Sequence, residues 1–331
     1  MISVVSTILN EGESLRRLLD SLVAQTRFPD EVVIVDGGSS DNTRAILREY
    51  ESRLPLRILV EPGCNISEGR NRGIAAAQGE IIAVTDAGVR LAGDWLERIT
   101  QPLLDNPVLE VVGGFFQADP LTICEAALGA TTLPLATEID VDTFLPSSRS
   151  IAFRKAAWIT AGGYPEWIDY CEDLIFDLRL KAIAAPTMFE AKALTFFRPR
   201  PTFEAFYQQY YRYARGDGKA DLWRKRHAVR YATYLVAAPL IFLLGWRVNR
   251  ILWLLFLPGA AVYLHLPYRR LRVVLADSVR AGTMQVTLVS NLQALALIPL
   301  IRVVGDVAKM IGYPVGWWWR LKHNPPDWKK V

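Results

Sequence analysis

At 331 residues the chain is long enough for one large domain with an appendage, or for two domains. Hydrophobic residues make up 51% of it and its mean hydropathy is positive, so a uniformly soluble fold would leave an apolar excess to explain. The net charge of +4 is modest, and its basic residues cluster beside apolar C-terminal segments, which favours a membrane surface over a nucleic acid. The odd, scattered Cys64, Cys124 and Cys171 exclude a disulfide framework or a CxxC zinc site.

Residues 1–11 read as a core strand, so no signal peptide is expected. Ile2–Ile8 is a β-branched apolar run, and Gly12–Gln25 carries Leu15, Leu18, Leu19 and Leu22 at one-face helical spacing. A strand at Glu31–Val35 stops at the turn-rich Asp36–Asn42. Then come a helix (Thr43–Glu51), a strand (Leu56–Val60), a helix (Ser67–Gln78), a strand (Ile81–Thr85), a helix (Gly93–Leu104) and a strand (Leu109–Phe116). This alternation predicts an α/β fold whose mostly parallel sheet is flanked by helices. From Leu121 to Arg200 the pattern is mixed, with helices near 121–130, 155–162 and 172–184 and short strands near 186–197.

After Pro201 the composition changes. Phe203–Lys219 is an aromatic-rich helix, followed by uncharged runs at 231–246 and 251–268 with only Arg247–Arg250 between them. Basic clusters at Arg224–Arg230 and Arg269–Arg272 flank these runs, which therefore read as a membrane hairpin with both ends cytoplasmic. Arg247 and Arg250 in the connecting turn weigh against that orientation. A third run, 281–301, is diluted by Gln285, Ser290, Asn291 and Gln293 and is expected at the interface with Trp317–Trp319; Lys322, Lys329 and Lys330 put the C-terminus on the cytoplasmic side. The competing reading of the first two runs is a pair of buried core helices.

Four polar constellations sit where chemistry is expected. Thr7, Asn10 and Glu11 close the first strand, and Asp36 closes the second ahead of two glycines that let a ligand approach. Asp41 is better read as a helix cap. Next, Arg70 and Arg72 lie on a Gly-punctuated helix before Asp86, which ends the fourth predicted strand. Two positions apart, the arginines do not share a helix face, and Arg70 is assigned to a donor phosphate. Asp86 would meet a diphosphate through a divalent ion. Third, Glu172-Asp173 opens an apolar helix. Adjacent acids there are often only dipole complements, but His227, His265 and His323 all fall in or beyond the membrane-flanking region, which leaves a carboxylate as the economical general base. Fourth, Gln209 and Arg212 share a face of the 203–219 helix, which reads equally as an amphipathic interface helix.

Taken in order, these sets resemble the family 2 glycosyltransferases, inverting enzymes of the GT-A fold, over about residues 1–220. The resemblance implies a nucleotide-sugar half (1–117), an acceptor half (118–220) and a membrane-associated region (221–331). It implies that Thr7, Asn10, Glu11, Asp36, Arg70 and Asp86 bind the nucleotide-diphosphate sugar. Asp173, next to Glu172, deprotonates the acceptor, and Gln209, Arg212 and Tyr213 echo a QxxRW motif with tyrosine for tryptophan. It also implies Mg²⁺ or Mn²⁺ on a DxD motif, of which Asp86 is the first acid and Gly88 replaces the second. Position 37 is likewise Gly where many members carry an acid. The implied reaction is sugar transfer at the cytoplasmic membrane face, to a lipid-linked or cell-envelope acceptor. A non-catalytic tethered sugar-nucleotide binder and a processive synthase component are the alternatives. The Leu9–Ser14 turn has only Gly12, which argues against a nucleotidyltransferase or a GxGxxG dehydrogenase.

Overall fold

The computed structural model describes residues 1–328. The chain divides into two compact units: Met1–Gln117 with Leu135–Phe197 and the described residues from Pro326 on, and Ala118–Pro134 with Arg198–Pro325. That division follows packing, whereas the sequence-based boundary at 220/221 follows composition.

The first unit is built on an eight-stranded sheet of order β3-β2-β1-β4-β7-β6-β8-β5. Strands β1 (Ile2–Ile8), β2 (Glu31–Asp36), β3 (Leu56–Val60) and β4 (Ile81–Val84) pair in parallel, with Ile8 opposite Asp36 and Val5 opposite Val84. Alternation along β1 sends Ile2, Val4 and Ile8 to one core and Val5 to the other; β2 does the same with Val32 and Ile34 against Val33. Helices α1 (Leu15–Val23), α2 (Thr43–Tyr50) and α4 (Trp95–Asp105) supply the first core through Leu15, Leu18, Ile46 and Trp95. The second core is met by α3 (Ile66–Ala76), α6 (Lys155–Thr160) and α7 (Glu172–Ala182). A Cβ on Gly73 of α3 would lie 2.7 Å from Val5 Cγ1, so glycine sets how close this helix lies to the sheet.

The sheet is mixed rather than mostly parallel. β7 (Ile151–Arg154) runs antiparallel to both β4 and β6 (Val111–Ala118), and β5 (Val89–Leu91) runs antiparallel to β8 (Thr187–Phe197). β5 and β7 are three and four residues long, too short to show a period in sequence.

The second unit is helical: α5 (Ile123–Thr132), α8 (Phe203–Ala220), α9 (Arg224–Ala232), α10 (Ala238–Arg247), α11 (Phe256–Arg280) and α12 (Leu288–His323). Ala126, Phe206, Leu271 and Ile298 belong to one shared core. Gly312 and Gly316 bring α12 against the backbone of α8, where an added Cβ would meet the Tyr211 and Arg215 carbonyls at 2.2 and 1.9 Å.

The helical stretches 224–247 and 250–280 are long and apolar enough to cross a membrane, and Leu235, Leu243, Leu257 and Val262 on them are exposed. They contain the two expected apolar runs. The third run is not one helix: α12 starts only at Leu288 and continues past the run to His323. Lys329 and Lys330, used in the charge argument, lie outside the described residues.

Candidate active site

The carboxyl ends of β1, β2 and β4 share one edge of the sheet, where open α/β folds bind ligands. Past β1, Asn10 takes up a left-handed φ of 54° and its Oδ1 accepts from the Ser40 amide at 2.8 Å. Glu11 receives the Ser14 hydroxyl at 3.1 Å, and Thr7 is half-buried against α3. At the end of β2 the buried Asp36 accepts from the Gly38 and Ser39 amides at 3.1 and 2.8 Å and from Arg44 Nε at 2.5 Å. Burial opposes its ionisation, but Arg44 and these donors outweigh it and hold the carboxyl below its ordinary range. Asp41 accepts from the Thr43 amide at the start of α2, as a capping acid does.

The centre of the site is Arg70. An Asn65–Glu68 capping box opens α3 and fixes its start, and the helix carries Arg70 into the interior with 2% of its surface exposed. Its Nη1 donates to Glu172 Oε1 at 2.6 Å and its Nη2 to Asp86 Oδ1 at 2.7 Å; its guanidinium lies 5.2 Å from the Tyr164 ring centroid. The arginine assigned to a donor phosphate is thus occupied in tying two acids together. Arg72 points elsewhere and pairs with Glu61.

Asp86 is gripped on its other oxygen by Arg149, whose Nε lies 3.5 Å from Oδ2. Burial would raise this carboxyl, but Arg70 and then Arg149 outweigh that and depress it below the usual carboxylate range. Glu172 is pushed the other way: burial, reinforced by neighbouring Asp173, raises it despite Arg70. Cys171, in the left-handed region at φ 68°, turns the chain into α7, so that Glu172 is buried while Asp173 is half-buried and takes the Leu174 amide on Oδ1 at 2.9 Å.

One turn further, Asp177 is fully enclosed, and its Oδ2 has no hydrogen-bond partner among the described residues. Burial, then the charge on Asp173, raises this carboxyl well above its ordinary value. The sign follows. As pH rises through the normal carboxylate range the unfolded chain loses this proton while the folded chain keeps it, so Asp177 lowers stability as pH increases towards its folded pKa. Asp177→Asn should therefore melt at a higher temperature than the parent, by most at the alkaline end of a pH 5–8 series. Parallel melting curves across that series would show that Asp177 ionises normally.

Gln209, Arg212 and Tyr213 lie on α8 in the second unit, where Gln209 Nε2 donates to the Tyr213 hydroxyl at 2.8 Å. Arg149, Tyr164 and Asp177 are the site residues that sequence reasoning missed. Arg149 sits in a loop without periodicity, so the sequence carries no signal that brings it to Asp86.

A divalent cation is what a DxD motif would imply, and Asp86 is the one acid of that motif present to hold it, together with the phosphates of a donor. Asp86 is already paired with two guanidiniums, Gly88 brings no ligand, and no group of three or more His, Cys, Asp or Glu side chains among the described residues is placed to hold a metal.

A mixed α/β sheet flanked by helices, with acids at the carboxyl ends of β1, β2 and β4, is a GT-A-like architecture. The family model described as "Glycosyl transferase family 2" matches residues 3–122 of this chain. It is 25% identical over 276 residues to the succinoglycan biosynthesis protein ExoA of Rhizobium meliloti, covering 77% of this chain and 80% of that one. It is 36% identical over 87 residues to the uncharacterized glycosyltransferase YibD of Escherichia coli, covering 26% of this chain but only 25% of that protein's length. The fold is similar to the mannosyltransferase PcManGT of Pyrobaculum calidifontis, solved with GDP-Man and Mn²⁺. The TM-score is 0.54 at 18% identity, over 98% of this chain and 88% of that one.

Proposed function

We propose that this protein transfers a sugar, with inversion, from a nucleotide-diphosphate sugar to the hydroxyl of a lipid-linked acceptor at the cytoplasmic face of a membrane. The observation that carries the reading is the Asp86–Arg70–Glu172 bridge, which ties the donor edge of the sheet to the acid pair and leaves Asp173 uncommitted to Arg70. In this reading Asp36, Asn10, Glu11 and Thr7 line the nucleoside, and Asp86 faces the donor sugar. Asp173 takes the acceptor proton, the oxygen attacks the anomeric carbon, and the nucleoside diphosphate leaves from the opposite face. Glu172 and Arg70 hold the frame. Residues 1–220 carry the chemistry; the apolar stretches after 221 attach it to the bilayer, which favours an acceptor already in the membrane.

The test uses the full chain in native membranes, with a panel of nucleotide sugars and polyprenyl-phosphate-type acceptors. Release of nucleoside diphosphate with an inverted glycosidic product is the expected result. Release of pyrophosphate would overturn the reaction class, and transfer confined to free water-soluble sugars would overturn the lipid acceptor.

A further inference from the structure

We propose that the helical second unit binds the phosphomonoester head of a membrane lipid through Arg230, Arg302 and Lys309. The inference shares with the transferase reading only the placement of this unit at a bilayer. Arg302, Asp306 and Lys309 follow one another at four- and three-residue spacing along α12, so they share one face. Arg230 of α9 joins them, its Nε donating to Asp306 Oδ1 at 2.8 Å. The other carboxylate oxygen is also taken: Oδ2 accepts from the Tyr263 hydroxyl at 2.5 Å and from the Tyr234 hydroxyl at 3.3 Å. Lys309 Nζ is left 3.9 Å from Oδ1. Asp217, the other acid felt by Lys309, pairs with His227 Nε2 at 3.1 Å. Three cations thus meet two acids that are both engaged, and positive charge is in excess.

Arg302 is the least satisfied of the three. Its guanidinium lies 4.2 Å from the Tyr263 ring centroid, and its buried Nε has no hydrogen-bond partner among the described residues. Burial pushes the Lys309 ammonium down to about 8 despite the attraction of Asp306, and Arg230 and Arg302 push the same way. A phosphate would give both groups the countercharge they lack, since a monoester carries about −1.5 to −2 at neutral pH on strong acceptor oxygens. The three cations are half-buried, so a ligand can reach them. Leu235, Val262, Val303 and Val307, adjacent in sequence to Tyr234, Tyr263, Arg302 and Asp306, are exposed, so apolar surface adjoins the charge as an amphiphile requires. Arg230 and Tyr263 lie roughly 20–25 Å along their helices from the turn between the two apolar stretches, at about 1.5 Å per residue. A hydrocarbon core is about 30 Å thick, which puts the cluster near the headgroups on the side away from that turn.

The test is melting of the full chain in detergent with dioleoylphosphatidic acid, with dioleoylphosphatidylcholine and with inorganic phosphate. Saturating phosphatidic acid should raise the melting temperature by about 3–5 °C over phosphatidylcholine. Arg302→Gln and Lys309→Gln should each lose most of that shift. Both should melt within about 2 °C of the parent in phosphatidylcholine, because Arg230 still holds Asp306 in each. Arg302→Lys should keep part of the shift. Arg280→Gln, which removes an exposed charge at the end of α11, should keep all of it. Equal melting of the parent in the two lipids, a full shift in either Gln variant, or as large a loss in Arg280→Gln would overturn the proposal. The same shift with inorganic phosphate alone would overturn the lipid source. If one Gln variant fails to fold, the other decides. No arm reads sugar transfer, so the outcome is independent of the transferase reading.

Discussion

Asp173→Asn should lower the rate of transfer by about 10²–10⁴-fold, the usual worth of a positioned general base, and leave the protein folded and able to bind its donor. The two adjacent acids at the head of α7 are in different situations. Glu172 is locked to Arg70 at 2.6 Å, and its loss would disturb the frame. Asp173 has no such partner among the described residues; its Oδ1 accepts from the Leu174 amide, a bond that an asparagine Oδ1 accepts equally well. The variant should thus melt within about 2 °C of the parent, since no buried charge loses its partner. The loss should fall on kcat and not on the KM for donor, because the base acts on the acceptor proton only as the transition state forms. Single-turnover transfer at saturating donor, read beside a melting curve, separates this from misfolding. Transfer near the parental rate in Asp173→Asn would remove the base assignment.

The contrast between these acids also marks how far the sequence could be read. β1, β2 and β4 are legible because strands buried on both faces are continuous apolar runs, and their polar ends fall at Asn10, Asp36 and Asp86. The hairpin-like apolar runs are legible because charge stops at their edges. What escapes is long-range. Arg70 shows itself as a basic residue beside a strand-end acid, which suggests an anionic ligand; the partner that takes its Nη1 lies 102 residues away. The inward turn of Glu172 and outward turn of Asp173 depend on the left-handed Cys171, which no propensity favours. β7 and β5 are set by pairing with β4 and β8, so four apolar residues in one place and three in another carry no signal of their own. α5 lies early in the chain yet packs with α11 and α12, and composition cannot report that.

Arg70→Ala should be among the most destabilising single changes in the first unit, at about 3–5 kcal/mol, the range for removing one partner of a buried ion pair. That is a large part of the roughly 5–15 kcal/mol that holds a typical domain together. The loss is not the attraction alone. Glu172, 9% exposed, and Asp86, 27% exposed, would remain as neighbouring acids without their shared cation, and Asp173 adds to the negative field. The variant's escape is to protonate, and the pH dependence follows from that. In the parent, Asp86 has a depressed pKa, so its contribution is present above the ordinary carboxylate range and lost as pH falls through its folded value. In Arg70→Ala both acids should titrate high, so stability should fall as pH rises from about 4. The two melting curves should lie closest near pH 4–5 and furthest apart near pH 8. Arg70→Lys should recover little, because a single ammonium cannot span two carboxylates 2.6 and 2.7 Å from separate guanidinium nitrogens. Arg70→Met combined with Glu172→Gln should recover more, since it fills the volume and removes one of the stranded charges. Melting of the full chain in detergent across pH 4–8 decides the matter. A gap of only a degree or two at pH 8 would mean that the bridge holds the site's geometry without contributing to its stability.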